Sequence, residues 1–249
     1  MSLIVISDLH IWGPDDPLYS SLLSLLKTRA VSGDTVVLAG DLFDLFVGNK
    51  TVFKNRYSDF FHALSDATNR GVKCFYIEGN HDFQLKRTFR ELQGVNVQPT
   101  EVSFVLDGKK FYFSHGDTVV RTDYGYRFLR AFFRSPIMKA VIFLLPGKWI
   151  DKLGTLSSRK SRERKPTILL DLPLERREYL RRTFRSFAAE RLALGYDFVV
   201  MGHCHDLDEM MFNIGGRTGQ YVNVGFPRAH GSYLSWSPGE DKIQREKLP

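Results

Sequence analysis

Five short clusters in this 249-residue chain carry side chains that can bind a metal ion or move a proton. They are Asp8-Leu9-His10, Gly40-Asp41-Leu42-Phe43-Asp44, Gly79-Asn80-His81-Asp82, His115-Gly116-Asp117 and Gly202-His203-Cys204-His205, and they hold five of the seven histidines. A single histidine is usually a packed or surface residue. Five of them, each beside Asp, Asn or Gly, point to one shared purpose. Imidazole, carboxylate and amide donors without thiolate suit borderline divalent ions such as Mn²⁺, Fe²⁺ or Zn²⁺ rather than Cu(I) or an iron–sulfur cluster. One carboxylate shared between two such ions would hold them about 3.5–4 Å apart, the spacing that clamps a phosphoryl group during in-line attack. Glycines before Asp41, Asn80 and His203 allow sharp backbone turns at a crowded site. Cys204, between two histidines on an extended stretch, points away from both and is read as packing.

The elements around these clusters explain how they meet. Leu3 to Ile6, Thr35 to Ala39 and Val72 to Ile77 read as buried strands, alternating with helices over Leu18–Arg29 and Tyr57–Asn69. That alternation predicts parallel pairing with right-handed crossovers. Val102–Leu106, Asp107-Gly108 and Lys110–Ser114 predict a hairpin with a type I′ turn. A polar, basic helical stretch from Thr122 to Lys165 follows, broken at Pro136, Pro146 and Gly147, and then a helix over Leu174–Leu194. Tyr196–Met201 reads as another buried strand, with three short strands after it to about Trp236. Each chemical cluster therefore follows a strand, and ligands of open α/β sheets bind at the carboxyl ends of strands. The clusters are expected to converge on one crevice.

Composition narrows the class. The hydrophobic fraction of 43% and charged fraction of 25% are those of an ordinary globular chain. Two cysteines, Cys74 and Cys204, exclude a disulfide scaffold and a thiolate zinc finger. Only four apolar residues precede Ser7 and Asp8, so a secretory signal is not expected, and no apolar run is long enough to span a bilayer. The expectation is a cytoplasmic protein, free or resting on a membrane surface. Its net charge of +7 is concentrated between Arg121 and Arg191, where 18 basic and 7 acidic residues leave a local +11. Such a segment, interleaved with Phe128, Phe132, Phe133, Phe143 and Trp149, reads either as a solvated helical face or as a surface for an anionic partner.

The motifs Asp-x-His, Gly-Asp-x-x-Asp, Gly-Asn-His-Asp, His-Gly-Asp and Gly-His-x-His, in this order over residues 8–205, resemble those of the calcineurin-like metallophosphoesterase superfamily. The resemblance implies an α/β fold, a four-layer αββα sandwich of two mixed sheets with a dinuclear metal centre at one edge. It implies one domain over residues 1–249 with a helical cap inserted at about 118–170. Carried over, Asp8, His10 and His205 would hold one ion, and Asn80, His115 and His203 the other, with Asp41 bridging. Mn²⁺ would be the favoured metal. His81 would stand by the leaving group, with Asp44 orienting it, a pairing that also suits general acid chemistry.

A narrower similarity is to the UDP-2,3-diacylglucosamine pyrophosphohydrolases of lipid A synthesis. It rests on Gly-Asp-Leu-Phe-Asp at 40–44, Gly-Asn-x-Asp-Phe at 79–83, His-Gly-Asp-Thr at 115–118, Thr122-Asp123, Tyr126 and the basic-aromatic stretch that follows. It implies cleavage of a lipid-linked sugar nucleotide to UMP and an acylated sugar 1-phosphate, at the cytoplasmic face of the inner membrane. Asp123, Tyr126, Ser158 and Lys165 would contact the glucosamine phosphate head, beside Asn80. One departure stands out: His81 occupies a position where that subfamily typically has Arg, and only His can also donate a proton. Phe128, Phe132, Met138, Val141 and Leu145 form an apolar stripe flanked by Arg127, Arg130, Arg134 and Lys139, suited to acyl chains with phosphates alongside. Ser158 to Lys165 reads as a mobile loop or a phosphate clamp. The alternatives are a phosphoesterase for soluble nucleotides, phosphoproteins or nucleic acid, and a non-catalytic binding module. A stacking platform for nucleic acid is not identifiable, and all seven ligand positions are filled, which opposes a degenerate module.

Overall fold

A computed structural model describes residues 1–152, 154 and 172–249. Two mixed sheets face each other. The six-stranded sheet has β1 (Leu3–Ile6), β2 (Thr35–Leu38), β4 (Lys73–Ile77) and β6 (Val95–Gln98) side by side and parallel. Its other edge is antiparallel, formed by β12 (Ser232–Trp236) and β13 (Gln244–Lys247). The five-stranded sheet runs β10 (Glu209–Ile214), β11 (Arg217–Asn223), β9 (Phe198–Met201), β8 (Lys109–Ser114), β7 (Glu101–Leu106). There β11, β9 and β8 are parallel, and the outer strands antiparallel.

Strand alternation sorts the side chains into three cores. Leu3, Val5, Val37 and Ile77 meet Phe111, Phe113, Val200, Val222 and Trp236 between the sheets. Ile4, Ile6, Val36, Leu38 and Tyr76 point the other way, against α1 (Pro17–Ser24) and α3 (Ser58–Asn69). Tyr112, Val199, Met201 and Tyr221 cover the far face of the second sheet, where Phe184, Ala188 and Leu192 of the long helix pack. The layers are therefore helix, sheet, sheet, helix, as a period-2 apolar pattern on two buried sheets requires.

Local chemistry sets the boundaries. Asp16 caps α1, accepting the Leu18 N–H at 3.1 Å, and Pro17 opens it. The β7–β8 turn places Asp107 and Gly108 at φ of 49° and 74°, the left-handed pair that a type I′ hairpin needs. Short elements without a strong periodic signal escape the sequence reading: α2 (Thr51–Arg56), β6, the parallel pair β3 (Phe46–Val47) and β5 (Asp82–Phe83), and β13. β13 reads Gln-Arg-Glu-Lys and exists because β12 offers it an open edge.

Between β8 and the long helix lie α4 (Tyr124–Phe133) and α5 (Pro136–Leu144), capped by Asp123 and Ser135, and a further helical stretch begins at residue 147. Met138, Ile142 and Ile150 pack on the helix-side core. Lys50 donates to the carbonyls of Phe143 and Leu145, and Arg56 pairs with Asp151. The outward face is strongly apolar: Phe128 is 73% exposed, Ile137 74% and Leu144 78%, with Phe132, Val141 and Leu145 also exposed. α6 (Leu174–Ala193) then supplies the fourth layer. No helix among the described residues is long and apolar enough to cross a membrane.

Candidate metal centre

All five clusters leave the carboxyl ends of β1, β2, β4, β8 and β9 at one edge of the two sheets. The backbone there is unusual. Of the seven non-glycine residues with positive φ among the described residues, five are Asp8 (55°), His10 (46°), Asp41 (53°), His203 (68°) and His205 (55°). Left-handed geometry is costly for side chains with a Cβ and persists only where neighbours enforce it. Main-chain bonds do so here: Asp8 N–H donates to Gly40 O, His10 N–H to Asp41 O, and Gly202 N–H to His115 O, all within 3.0 Å. The chains also approach very closely. A Cβ at Gly79 would lie 2.1 Å from Asp41 Oδ1, and one at Gly202 2.3 Å from Asp8 Oδ2. These two glycines are required for space rather than for turning.

The polar atoms converge on two neighbouring points. Asp8, His10 and His205 form one group, with His205 Nε2 3.4 Å from Asp8 Oδ1 and 3.2 Å from His10 Nε2. Asp41, His115 and His203 form another, with His115 Nε2 3.4 Å from Asp41 Oδ2 and 3.3 Å from His203 Nδ1. Asn80 Oδ1 joins the second at 3.3 Å from His115 Nε2. Asp41 Oδ2 also lies 3.8 Å from His10 Nε2, so this carboxylate faces both groups. A single proton can satisfy one pair of facing imidazole nitrogens. A divalent cation satisfies several lone pairs and the adjoining carboxylate at once, so the donor set fits two such ions.

Burial and charge prepare these donors. Burial lowers His10 to about 3 and His203 to about 4, which leaves both imidazoles neutral near pH 7. Burial also acts to lower His115, but the charge and hydrogen bond of Asp41, with Asp8 and Asp117, outweigh it and raise His115 to about 10. Burial pushes the Asp8 and Asp41 carboxyls upward, yet the surrounding histidines, His205 and His115 foremost, hold both below the ordinary range.

His81 donates its backbone N–H to Asp41 Oδ1 at 2.9 Å, and its ring stands edge-on to His10 with centroids 4.8 Å apart. Its Nδ1 lies 2.8 Å from the main-chain oxygen of Asp44, so a peptide carbonyl is the orienting acceptor at this distance, where a carboxylate is expected from sequence. The Asp44 carboxylate is near, grouped with His10 and His81 within 4.8 Å. Tyr126 donates its hydroxyl to buried Asp117 at 2.6 Å, and its ring lies 6.1 Å from His203. Asp123 is exposed and accepts the Tyr126 N–H as the cap of α4. Ser158 and Lys165 lie outside the described residues.

Several residues hold the centre through contacts that the sequence does not signal. Asp82 accepts backbone N–H groups of Asp41, Leu42 and Gly79 and the Tyr76 hydroxyl. Asn223 donates to Gly202 O and to Cys204 Sγ, and Cys204 packs toward the far core as expected. Arg228 donates to the carbonyls of Leu9 and His10, each at 3.1 Å, while paired with Asp16. Phe226 stacks on His205 at 4.4 Å. The basic segment needs a corresponding correction. Arg130 binds Asp117, Arg134 binds Glu78, Arg181 binds Asp206 and Arg185 binds Asp208, so four of its cations face inward onto the site's loops rather than outward to phosphates.

Comparison with known proteins agrees with this geometry. Curated relatives named UDP-2,3-diacylglucosamine hydrolase include one from Photorhabdus laumondii, 27% identical over 208 residues (82% of each chain). A second, from Aeromonas salmonicida, is 26% identical over 263 residues, covering 100% of this chain and 95% of its own. A third, from Vibrio cholerae, is 28% identical over 211 residues, covering 82% and 81%. The family model for calcineurin-like phosphoesterases matches residues 1–207, and the chain belongs to that family.

Proposed function

We propose that this protein hydrolyses the pyrophosphate of UDP-2,3-diacylglucosamine, releasing UMP and 2,3-diacylglucosamine 1-phosphate. The observation that carries this reading is the union of two features: a complete set of metal donors, and an exposed apolar helical face on the segment inserted beside it. The relatives' names support the substrate. Asp8, His10 and His205 would hold one ion and Asn80, His115 and His203 the other, with Asp41 between them. The donor chemistry suits Mn²⁺, Fe²⁺ or Zn²⁺, and the family resemblance favours Mn²⁺ among them. When bound, such ions supply charge neutralisation of phosphoryl oxygens and a lowered pKa of water.

The chain's own groups do the rest. Asp44 O accepts the His81 Nδ1–H, so that a ring protonated on both nitrogens would deliver its Nε2 proton to the departing phosphate oxygen and remain as neutral imidazole. Tyr126, whose ring lies 6.1 Å from His203, and Asn80, which reaches His115, would orient the sugar phosphate. Residues about 118–170 act as a cap over one domain, with Phe128, Phe132, Val141 and Leu145 receiving acyl chains at about 0.8 kcal/mol per buried CH₂. Asp123 would add to the headgroup contacts, and the same role is proposed for Ser158 and Lys165, which lie outside the described residues. The same apolar face, with Arg127 and Lys139 beside it, would rest the enzyme on the cytoplasmic surface of the inner membrane.

Replacing Phe132 and Val141 by Asp tests this. Hydrolysis of the diacylated UDP-sugar should fall steeply while a small chromogenic phosphodiester is cleaved at nearly the original rate. Equal rates on both substrates, before and after substitution, would transfer the assignment to a soluble phosphate ester.

A further inference from the structure

Arg134 is the C-cap residue of α4, yet its side chain turns back onto the loop after β4 and is largely buried. It forms an ion pair with Glu78, itself buried and also accepting the Leu85 N–H at 2.7 Å. Its Nη2 donates to Gly79 O at 2.8 Å, and its Nη1 to Pro99 O at 3.1 Å. The guanidinium also lies over the Phe83 ring, 5.8 Å from its centroid. The carbonyl of Gly79 belongs to the peptide joined to Asn80. On its other side, the Gly79 N–H is held by Asp82 Oδ1 at 2.8 Å. The Gly79 backbone is thus fixed from within its own loop at the nitrogen and from the inserted helix at the carbonyl.

We propose that Arg134 is a positioning residue for the second metal pocket: by holding the Gly79–Asn80 peptide it aims the Asn80 amide toward His115. One turn earlier, Arg130 donates to Asp117, two residues after His115, and also to Pro99 O at 3.0 Å. Tyr126, another turn back, donates to the same carboxylate. One face of α4 therefore grips both loops that bring Asn80 and His115 together, while the opposite face carries the exposed Phe128 and Phe132. The competence of that pocket then depends on α4 being docked. The Asp8, His10 and His205 group has no such link to α4 among the described residues; its loops are held by Arg228, Arg181 and Phe226. The inference rests on the two-ion reading and is independent of the lipid substrate.

The test is Mn²⁺ titration of metal-stripped wild-type protein and Arg134→Met by calorimetry, with the electron paramagnetic resonance signature of a coupled Mn²⁺ pair as second readout. Wild type should bind two ions. Arg134→Met should retain the first and bind the second about 10–100-fold more weakly, the usual effect of losing a group that orients a ligand. On bis(p-nitrophenyl) phosphate at fixed Mn²⁺, kcat should fall with little change in KM. Arg134→Lys, which keeps the charge and a donor but not the fork, should weaken the second ion less, and it decides the matter if the Met variant does not fold. Two ions bound at wild-type affinity in either variant, or equal weakening of both, would overturn the proposal while leaving the two-ion reading standing. Fewer than two ions in wild type would overturn both.

Discussion

Asp82 and Asp41 hold each other's loops: Asp82 Oδ1 accepts the Asp41 N–H at 2.9 Å, and Asp41 Oδ1 accepts the N–H of His81 at 2.9 Å. Burial and the Asp41 charge raise Asp82 to about 7, so its placement is costly and is offset by four donors. Asn at this position can accept at only one side-chain atom and turns an amide N–H toward backbone N–H groups. Asp82→Asn should lower stability by about 1–3 kcal/mol, the cost of leaving buried donors unpaired. It should also weaken metal binding about 10–100-fold. Denaturant unfolding and calorimetry check this, and wild-type values for both would refute it.

His115 carries a proton at neutral pH in the metal-free protein, since it is raised to about 10, and a ligand imidazole must be neutral. Metal loading near pH 8 should therefore release protons, seen as a binding enthalpy that tracks the ionisation enthalpy of the buffer. The folded-state value lies above the unfolded value of about 6.5. The associated stability is complete below that value and is lost as pH rises toward 10. Metal-free protein should melt at a lower temperature at pH 9.5 than at pH 7, and a flat profile would contradict the assignment.

His81 is expected to serve the leaving group and not the metals. His81→Ala should keep both ions and lose about 10²–10⁴ in kcat, the usual range for a general acid. The loss should shrink for p-nitrophenyl leaving groups, which depart without a proton. Metal loss, or an equal defect with every leaving group, would count against that role.

Much of this was legible because metal donors and strand ends share a pattern. The strands Leu3–Ile6, Thr35–Leu38 and Lys73–Ile77 and the Asp107-Gly108 turn follow from apolar periodicity and turn chemistry, whereas the αββα layering was implied by the family resemblance. The five clusters follow from lying at strand carboxyl ends. The supporting residues were not legible. Asp82 stands within a motif but acts through backbone groups of another loop, and Arg228 and Asn223 reach the site from late in the chain. Their partners are main-chain atoms, which leave no mark on sequence. Arg130 and Arg134 misled in the other direction, because a charge count cannot tell an outward cation from one paired with a buried acid.

The apolar face of α4 and α5 should hold the protein on lipid. Phe143 and Leu144 are 68% and 78% exposed, so replacing both by Asp disturbs little of the core. The partition constant onto vesicles containing anionic phospholipid, measured by cosedimentation, should drop about 100-fold or more, since burying even two such side chains is worth about 3 kcal/mol and each 1.4 kcal/mol is about tenfold. Unchanged sedimentation would remove the membrane-surface reading and leave the soluble chemistry intact.

The most direct measurement is product analysis after incubating UDP-2,3-diacylglucosamine with metal-loaded protein, beside Asp41→Ala prepared in the same way. Phosphorus NMR and mass spectrometry should find UMP and 2,3-diacylglucosamine 1-phosphate in equal amounts with wild type, and neither above background with Asp41→Ala. Intact substrate in both samples, or the same products formed equally fast by both, would contradict the account.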